Sequence, residues 1–227
     1  MDEKVTAIVS AFNEEKNIKN VLDILLASKK LDEVILVDDG SKDKTSKIAK
    51  NLGAKIVILP ENSGKAKAMK KGIESTKADV IVFFDADLIG LNQGHINSLI
   101  SPILKNEAVM SVEIRDRWWG LPRLIAQISP FMFTIGGERA IRPFVLKDIP
   151  QKFIFNLTDV MVMNYYCKIN HLPVKFVYLK GLDIVVKEKK WGFLKGFIAR
   201  FKTVVEFIKV RIVIFLHKNE FSLHSHV

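Results

Sequence analysis

A single cysteine, Cys167, among 227 residues rules out an internal disulfide and fits a reducing compartment. No window approaches the ~18 uninterrupted apolar residues of a membrane-spanning helix. Yet the chain is 48% hydrophobic and long enough to bury one sizeable core. A signal peptide is not expected either, because Met1 to Lys4 lead directly into what reads as a strand. The first strand is not followed by Gly-x-Gly-x-x-Gly, which sets aside a dinucleotide dehydrogenase, and no Walker-type Gly-x4-Gly-Lys-Ser/Thr loop is present. Internal repeats and low-complexity linkers are also missing. Acid is the scarcer charge, with 25 acidic against 35 basic residues and a net charge of +10. Such a surplus attracts phosphate, whether in a nucleotide, a nucleic acid or a lipid headgroup, and does not choose among them.

What the chain does have is alternation. "KVTAIVSAF", "EVILVDD", "AKIVILP" and "DVIVFFDAD" read as strands, and "EAVMSVEI" as a candidate fifth. Helices are expected over about 14–28, with apolar spacing at Ile18, Val21, Leu22 and Leu25, then about 45–52, within "GKAKAMKKGIEST", and about 93–104. Strand–helix alternation implies an α/β fold: a mostly parallel sheet flanked by helices. Ligands of such sheets sit outside the carboxyl ends of the strands. Phe12, Asp38, Asp39, Pro60, Asp85 and Asp87 all fall at strand ends and should share one crevice.

Three stretches carry the chemistry. In "VIVFFDADLIG" the apolar run from Val80 to Phe84 stops at Asp85, and Asp87 follows; side chains two apart on a strand share a direction. Two carboxylates on one side suit a hard divalent cation such as Mg2+ or Mn2+ that also binds phosphates, although a lone Asp-x-Asp is equally at home in a solvated turn. In "LVDDGSKDKT", Asp38 or Asp39 can accept hydrogen bonds from a base or ribose, while a turn capping the next helix through Asp43 or Thr45 accounts for the same residues. "PENSGKAKAMKKG" offers amides and Lys65 at a helix start, where phosphate is favoured.

Taken in order, "IVSAFNEEKNI", "VILVDDGSKDKT", "PENSGKAKAMKKGI" and "VIVFFDADL" resemble the family-2 glycosyltransferases, inverting enzymes of the glycosyltransferase A-type fold, and within them the dolichyl-phosphate mannosyltransferase and polyprenyl-phosphate glycosyltransferase type. The resemblance implies that Ala11, Phe12 and Glu14 form the first nucleotide-contacting loop, that Asp39 reads the base, and that Gly64 and Lys65 close over the nucleotide. It also implies that Asp85, Ala86 and Asp87 form the Asp-x-Asp motif holding metal and diphosphate, with Asp85 and Asp87 as the metal ligands. In "NLTDVMVMNYYCK", Asp159 matches the acid that opens a helix and serves as general base, a role that inversion needs when the acceptor is a hydroxyl. A helix N-terminal acid favoured by the macrodipole explains the same aspartate. Two departures stand out. Ile89 occupies a place where dolichyl-phosphate enzymes often carry Gln, and the Gln-x-x-Arg-Trp motif of processive synthases is missing. His171 and His217 lack the neighbourhood of a late metal-binding histidine, so a third protein ligand stays open.

The second half changes character. Residues 117–137 are apolar and aromatic, more like a covering segment than sheet. In "IGGERAIR", Gly136 and Gly137 allow close backbone approach, and Glu138, Arg139 and Arg142 could contact the donor sugar or a phosphate; a plain loop leading to a helix after Pro143 fits equally well. A helix over about 158–169, the strand "VKFVYL" and a closing basic amphipathic helix over about 193–216 follow, then a loose tail "KNEFSLHSHV". The expected organisation is a glycosyltransferase domain over 1–190, with a nucleotide-sugar half (1–112) and an acceptor half (113–190), and a C-terminal basic helix and tail over 191–227. The closing helix carries Lys195, Lys202 and Lys209 on one stripe and Phe197, Val204 and Phe215 opposite, which suits a bilayer interface as well as packing on the sheet.

The expected function is metal-dependent transfer of sugar from a UDP- or GDP-sugar to a polyprenyl-phosphate or other lipid acceptor, at the inner face of the cytoplasmic membrane through 193–216. A soluble small-molecule acceptor is the alternative. A non-catalytic nucleic-acid binder is the reading from another class; acids at three strand ends would repel a polyphosphate, so no nucleic-acid partner is expected.

Overall fold

The computed structural model describes residues 3–114, 137–150, 153, 159–185, 209, 212–213 and 215–221. Its strands are β1 (Val5–Ala11), β2 (Glu33–Asp38), β3 (Lys55–Ile58), β4 (Val80–Asp85), β5 (Leu88–Ile89), β6 (Met110–Ile114), β7 (Arg139–Ile141), β8 (Val174–Tyr178) and β9 (Asp183–Ile184). The helices are α1 (Ile18–Leu26), α2 (Thr45–Leu52), α3 (Lys65–Glu74), α4 (Gln93–Leu104), α5 (Pro143–Asp148) and α6 (Asp159–Ile169). A seven-stranded sheet runs in the order β3-β2-β1-β4-β7-β6-β8, beside a two-stranded sheet of β5 and β9. Among the described strands of the larger sheet only β7 runs against its neighbours; the β1–β2, β1–β4, β2–β3 and β6–β8 pairs are parallel.

The apolar runs of β1, β2 and β4 follow from burial on both faces. Val5, Ala7 and Val9 of β1, with Val80, Val82 and Phe84 of β4, pack against α1, α2 and α4 through Ile18, Leu22, Ala49 and Leu99. Ile8, Ile35, Ile81 and Phe83 face the other way, against Ala68 and Met69 of α3 and Val162, Met163 and Tyr166 of α6. The four residues whose spacing predicts α1, Ile18, Val21, Leu22 and Leu25, are its buried positions. That helix starts later than its pattern suggests. The amides of Glu14 and Glu15 go instead to Thr45 Oγ1 (2.8 Å) and Asp43 Oδ2 (3.1 Å) of the next loop.

Two expectations need correction. "RAI" is a core strand, β7, not a loop, because it pairs with β4 on one side and β6 on the other. The tail is not loose throughout: Lys218–Phe221 form a 3-10 turn, and Phe221 is buried. Its ring stacks on Phe153 (4.7 Å) and meets Tyr165 edge-on (5.6 Å), while its carbonyl accepts from Asn170 Nδ2 at 2.8 Å. The closing helix is described only in part: residues 209, 212, 213, 215 and 216 are helical, and the rest of the 193–216 segment, like 117–136, lies outside the described residues. Among the described residues no helix is long and apolar enough to cross a membrane.

Two titrating groups lie in the α6 interface. Burial, joined by the nearby Asp148 carboxylate, pushes the Tyr166 phenol up to about 12. Burial pushes the Cys167 thiol up to about 12 against the opposing pull of Arg139, so this cysteine is a poor nucleophile. Both groups bind their proton more tightly in the folded state, so their contribution is complete below their ordinary values of 9.0 and 10.0 and is lost as pH rises towards about 12. Urea unfolding midpoints should therefore fall between about pH 9 and 12, and Tyr166→Phe with Cys167→Ala should flatten that slope.

Candidate active site

Strand register builds the crevice. Asp38 lies level with Ala11, and Asp85 lies level with Ser10, so β2 and β4 finish together on either side of β1. Beyond these ends opens a cavity of ≈ 300 Å³ lined by Phe12, Glu14, Asp39, Lys65, Asp85 and Asp87, with Ala11, Gly64 and Ala86 contributing backbone and small side chains. Every donor-site residue expected from the first hundred positions is therefore brought to one place. Ser10, Asn62 and Ala68 also line it. Ser10 could have been found from its neighbour, since a strand-end position beside the crevice acid must face the same space.

Two expected members are absent from the lining. Asp38 is turned inward, accepting from Ser41 N–H (2.8 Å) and from the Ser46 hydroxyl, and thus shapes the turn. Pro60 does not line the cavity. A larger cleft of ≈ 670 Å³ lies at the opposite strand ends, bounded by Lys4, Glu33, Lys55 and Thr76. Its charges serve each other, as with Lys55 on Glu33 (2.8 Å), and parallel sheets place ligands at the other end.

The loops after β1 and β2 are laced together. Asn13, in the left-handed region at φ 55, donates its N–H to Ser41 Oγ (2.9 Å) and accepts from Lys42 N–H at Oδ1 (2.8 Å). Asp43 is drawn upward by partial burial, but hydrogen bonds from the Thr45 hydroxyl and from the Thr45 and Glu15 amides outweigh this and hold its carboxyl below the ordinary value. Asp39 reaches across to the third loop: its two oxygens accept from Ser63 N–H and Gly64 N–H, each at 2.8 Å. Gly40 makes this contact possible. It sits at φ 74, and a Cβ there would lie 2.6–2.8 Å from the Glu61–Asn62 backbone.

Strand geometry does not carry from Asp85 to Asp87; β4 ends at Asp85 and a turn follows. Both carboxylates still face the cavity, because the Asp87 carbonyl is fixed by Val185 N–H (3.2 Å) and β5 pairs with β9 immediately after. Asp85 receives the Lys65 ammonium, a cation already seated on the carboxylate that a divalent ion would use. A Cβ on Gly137 would fall 3.0 Å from Asp85 Oδ2 and from Lys65 Nζ, so the bare backbone of Gly137 forms the wall of this pair. Among the described residues no group of three or more His, Cys, Asp and Glu side chains could hold a metal. A donor set of two hard carboxylates still fits Mg2+ or Mn2+, provided that phosphate oxygens and water complete the shell.

The "GGERAIR" residues are separated by direction. Because β7 is antiparallel to β4, the chain leaves the crevice at Gly137 and reaches the far end of the sheet by Arg142. Arg142 accordingly donates to both Glu3 oxygens (2.6 and 3.2 Å), to Ile103 O (3.1 Å) and to Asn106 Oδ1 (2.8 Å), away from the cavity. Arg139 is fully buried, with Nη1 3.5 Å from Met163 Sδ. Glu138 is fully buried too, and neither lines the cavity. The donor-contact role expected of these three does not follow from where they sit. Asp159 opens α6 as expected; its side chain lies outside the described residues.

The sequence model described as glycosyl transferase family 2 matches residues 6–154, about two thirds of the chain and all the strand ends of the crevice. The protein belongs to glycosyl transferase family 2. Glucosyl-3-phosphoglycerate synthase of Mycobacterium tuberculosis is 30% identical over 144 residues, covering 60% of this chain and 44% of that protein. An uncharacterized protein of Methanocaldococcus jannaschii is 42% identical over 91 residues, 36% of this chain and 39% of that one. The chain thus spans less than half the length of these curated relatives. A crystal structure of the M. tuberculosis synthase with Mn2+, UDP-glucose and phosphoglyceric acid superposes with a TM-score of 0.72 at 23% identity, covering 91% of this chain and 78% of that one. Another structure of the same synthase gives 0.64 at 26% identity, covering 78% and 70%. The fold is glycosyltransferase A-type, as the family membership requires; nothing in the similarity singles out the dolichyl-phosphate branch.

A side chain at Gly137 would press on the Asp85 carboxylate and the Lys65 ammonium. Gly137→Val places methyls on the Asp85–Lys65 pair, and overpacking of about 1–3 kcal/mol should weaken Mn2+ binding, followed by calorimetry, by about tenfold or more.

Proposed function

We propose that the protein transfers a sugar, with inversion, from a UDP- or GDP-sugar to a hydroxyl of a soluble small-molecule acceptor. The observation that carries this reading is the convergence of Asp39, Lys65, Asp85 and Asp87 on one cavity at the carboxyl ends of a parallel sheet. Asp85 and Asp87 would hold Mg2+ or Mn2+, which offsets charge on the departing diphosphate. Lys65 and the first-turn amides of α3, whose N-cap Gly64 brings no side-chain acceptor, favour the diphosphate. The exposed Phe12 ring offers a face to the base. Asp39 keeps the third loop in place and presents its remaining lone pairs to base or ribose. Asp159 acts as general base: its carboxylate takes the acceptor hydroxyl proton as that oxygen bonds to the anomeric carbon. The bond from that carbon to the diphosphate breaks, and its electron pair leaves with the phosphate.

A soluble acceptor is supported by the M. tuberculosis synthase, which has been crystallised with phosphoglyceric acid beside UDP-glucose. The basic surplus of +10 would suit an anionic acceptor. Binding and turnover over a panel of nucleotide sugars with Mn2+ or Mg2+ test the reading. Asp87→Ala should abolish metal-dependent donor binding, and Asp159→Asn should spare donor binding while lowering transfer by about 10²–10⁴-fold. Unchanged donor binding in Asp87→Ala would sink the assignment.

One observation favours a lipid-linked acceptor at the membrane surface instead. Ile212, Phe215 and Leu216 are 54%, 74% and 68% exposed on a segment anchored by buried Phe221, beside exposed Lys209 and Lys218. Flotation with vesicles containing anionic lipid decides: co-flotation that Phe215→Ser with Leu216→Ser abolishes supports the membrane version, and no association removes it.

A further inference from the structure

Resting on the donor-site reading above, we propose that Lys65 makes metal and nucleotide binding cooperative by exchanging between Asp85 and the donor diphosphate. The pairing of Lys65 Nζ with Asp85 Oδ1 occupies a carboxylate that the divalent cation needs. An ammonium and a divalent ion on the same carboxylate repel each other, so the metal binds Asp85 fully only after Lys65 has left. A diphosphate gives the ammonium somewhere to go.

The surroundings specify which partner moves. Asp85 ends a strand paired through Ser10 of β1, and its side chain is only 20% exposed; the Lys65 side chain is 49% exposed. The root of Lys65 is equally fixed. It is the first residue of α3, and the two residues before it are clasped by Asp39 through their amides at 2.8 Å. Gly64 O further accepts from Ala68 N–H at 3.1 Å. Only the flexible four-carbon stem of Lys65 has room to swing, and the bare face of Gly137 borders that room. The clasp and the ion pair are made by three successive residues, Ser63, Gly64 and Lys65, so one short loop addresses both the acid assigned to the nucleoside and the acid assigned to the metal.

The consequence is a linkage. Metal alone must displace an internal cation, nucleotide alone must strip a lysine from its carboxylate, and the two together do both at once. By reciprocity each ligand raises the affinity of the other by the same factor. Because Lys65 is half exposed, the factor belongs at the low end of usual couplings, about five- to tenfold.

The experiment is titration of Mn2+, followed by electron paramagnetic resonance, into wild type, Lys65→Met and Lys65→Arg, each with and without saturating UDP, and with GDP in parallel. Lys65→Met should bind Mn2+ without nucleotide about five- to tenfold more tightly than wild type, with the nucleotide-dependent gain reduced by that factor. Lys65→Arg should retain the wild-type coupling. A merely structural lysine would weaken Mn2+ binding on removal, not strengthen it. If wild type binds Mn2+ with nucleotide but Lys65→Met binds Mn2+ alone no more tightly, the exchange is wrong and the donor site stands. If wild type binds neither Mn2+ nor nucleotide, the donor-site reading fails and the exchange falls with it.

Discussion

The double register on β1 is the constraint from which the rest follows. β1 pairs in parallel with β2 along one edge and β4 along the other, over Thr6–Ala11 and Val5–Ser10. Side chains alternate with period two, so a one-residue slip of β4 would move Phe84 from the layer of α1 and α4 to that of α3 and α6 and turn Asp85 the other way. The burial of Val80, Val82 and Phe84 against α1 and α4 forbids that slip. Hydrophobic packing along each strand thereby fixes where carboxylates stand at its end.

Packing brings the acids together; hydrogen bonds then assign them different tasks. Asp38 and Asp43 are consumed in holding turns, through Ser41, Ser46 and Thr45. Asp39 is buried but faces the cavity while gripping the third loop, and Asp85 meets a lysine. The loop residues Asn13, Ser41 and Thr45 bond across the first and second loops and set the separation between them. A chain with ten more positive than negative charges can keep a nest of acids in one crevice because most of them have a named donor at their oxygens.

Long periodic elements could be read directly from the residues. α2 and α4 run over the expected 45–52 and 93–104, and α1 buries its four expected positions, because a helix face repeats its signal several times. The donor-site residues were readable for a related reason: each lies where an apolar run stops. The two-residue strands β5 and β9 repeat nothing, and each exists only because a partner from far along the chain lies beside it. β7 was hidden by a buried arginine, whose guanidinium sits among methionine sulfurs instead of facing a phosphate. Phe221 stands alone in a polar tail, so only its tertiary pocket of Phe153 and Tyr165 gives it meaning. Asp159 keeps its proposed role by chemistry alone: it lies beyond the residues 6–154 that the family matches, and its side chain lies outside the described residues.

The reversed direction of β7 makes the segment from Gly137 to Arg142 a cross-section through the whole molecule. One end answers to the Asp85–Lys65 pair, the middle to the volume of the core, and the other end to the carboxylate of Glu3. Adjacent letters of this short stretch are thus governed by unrelated demands, and its two arginines, three positions apart, have different places: one is buried inside the sheet beside Met163, the other ties the rim of the sheet to Glu3.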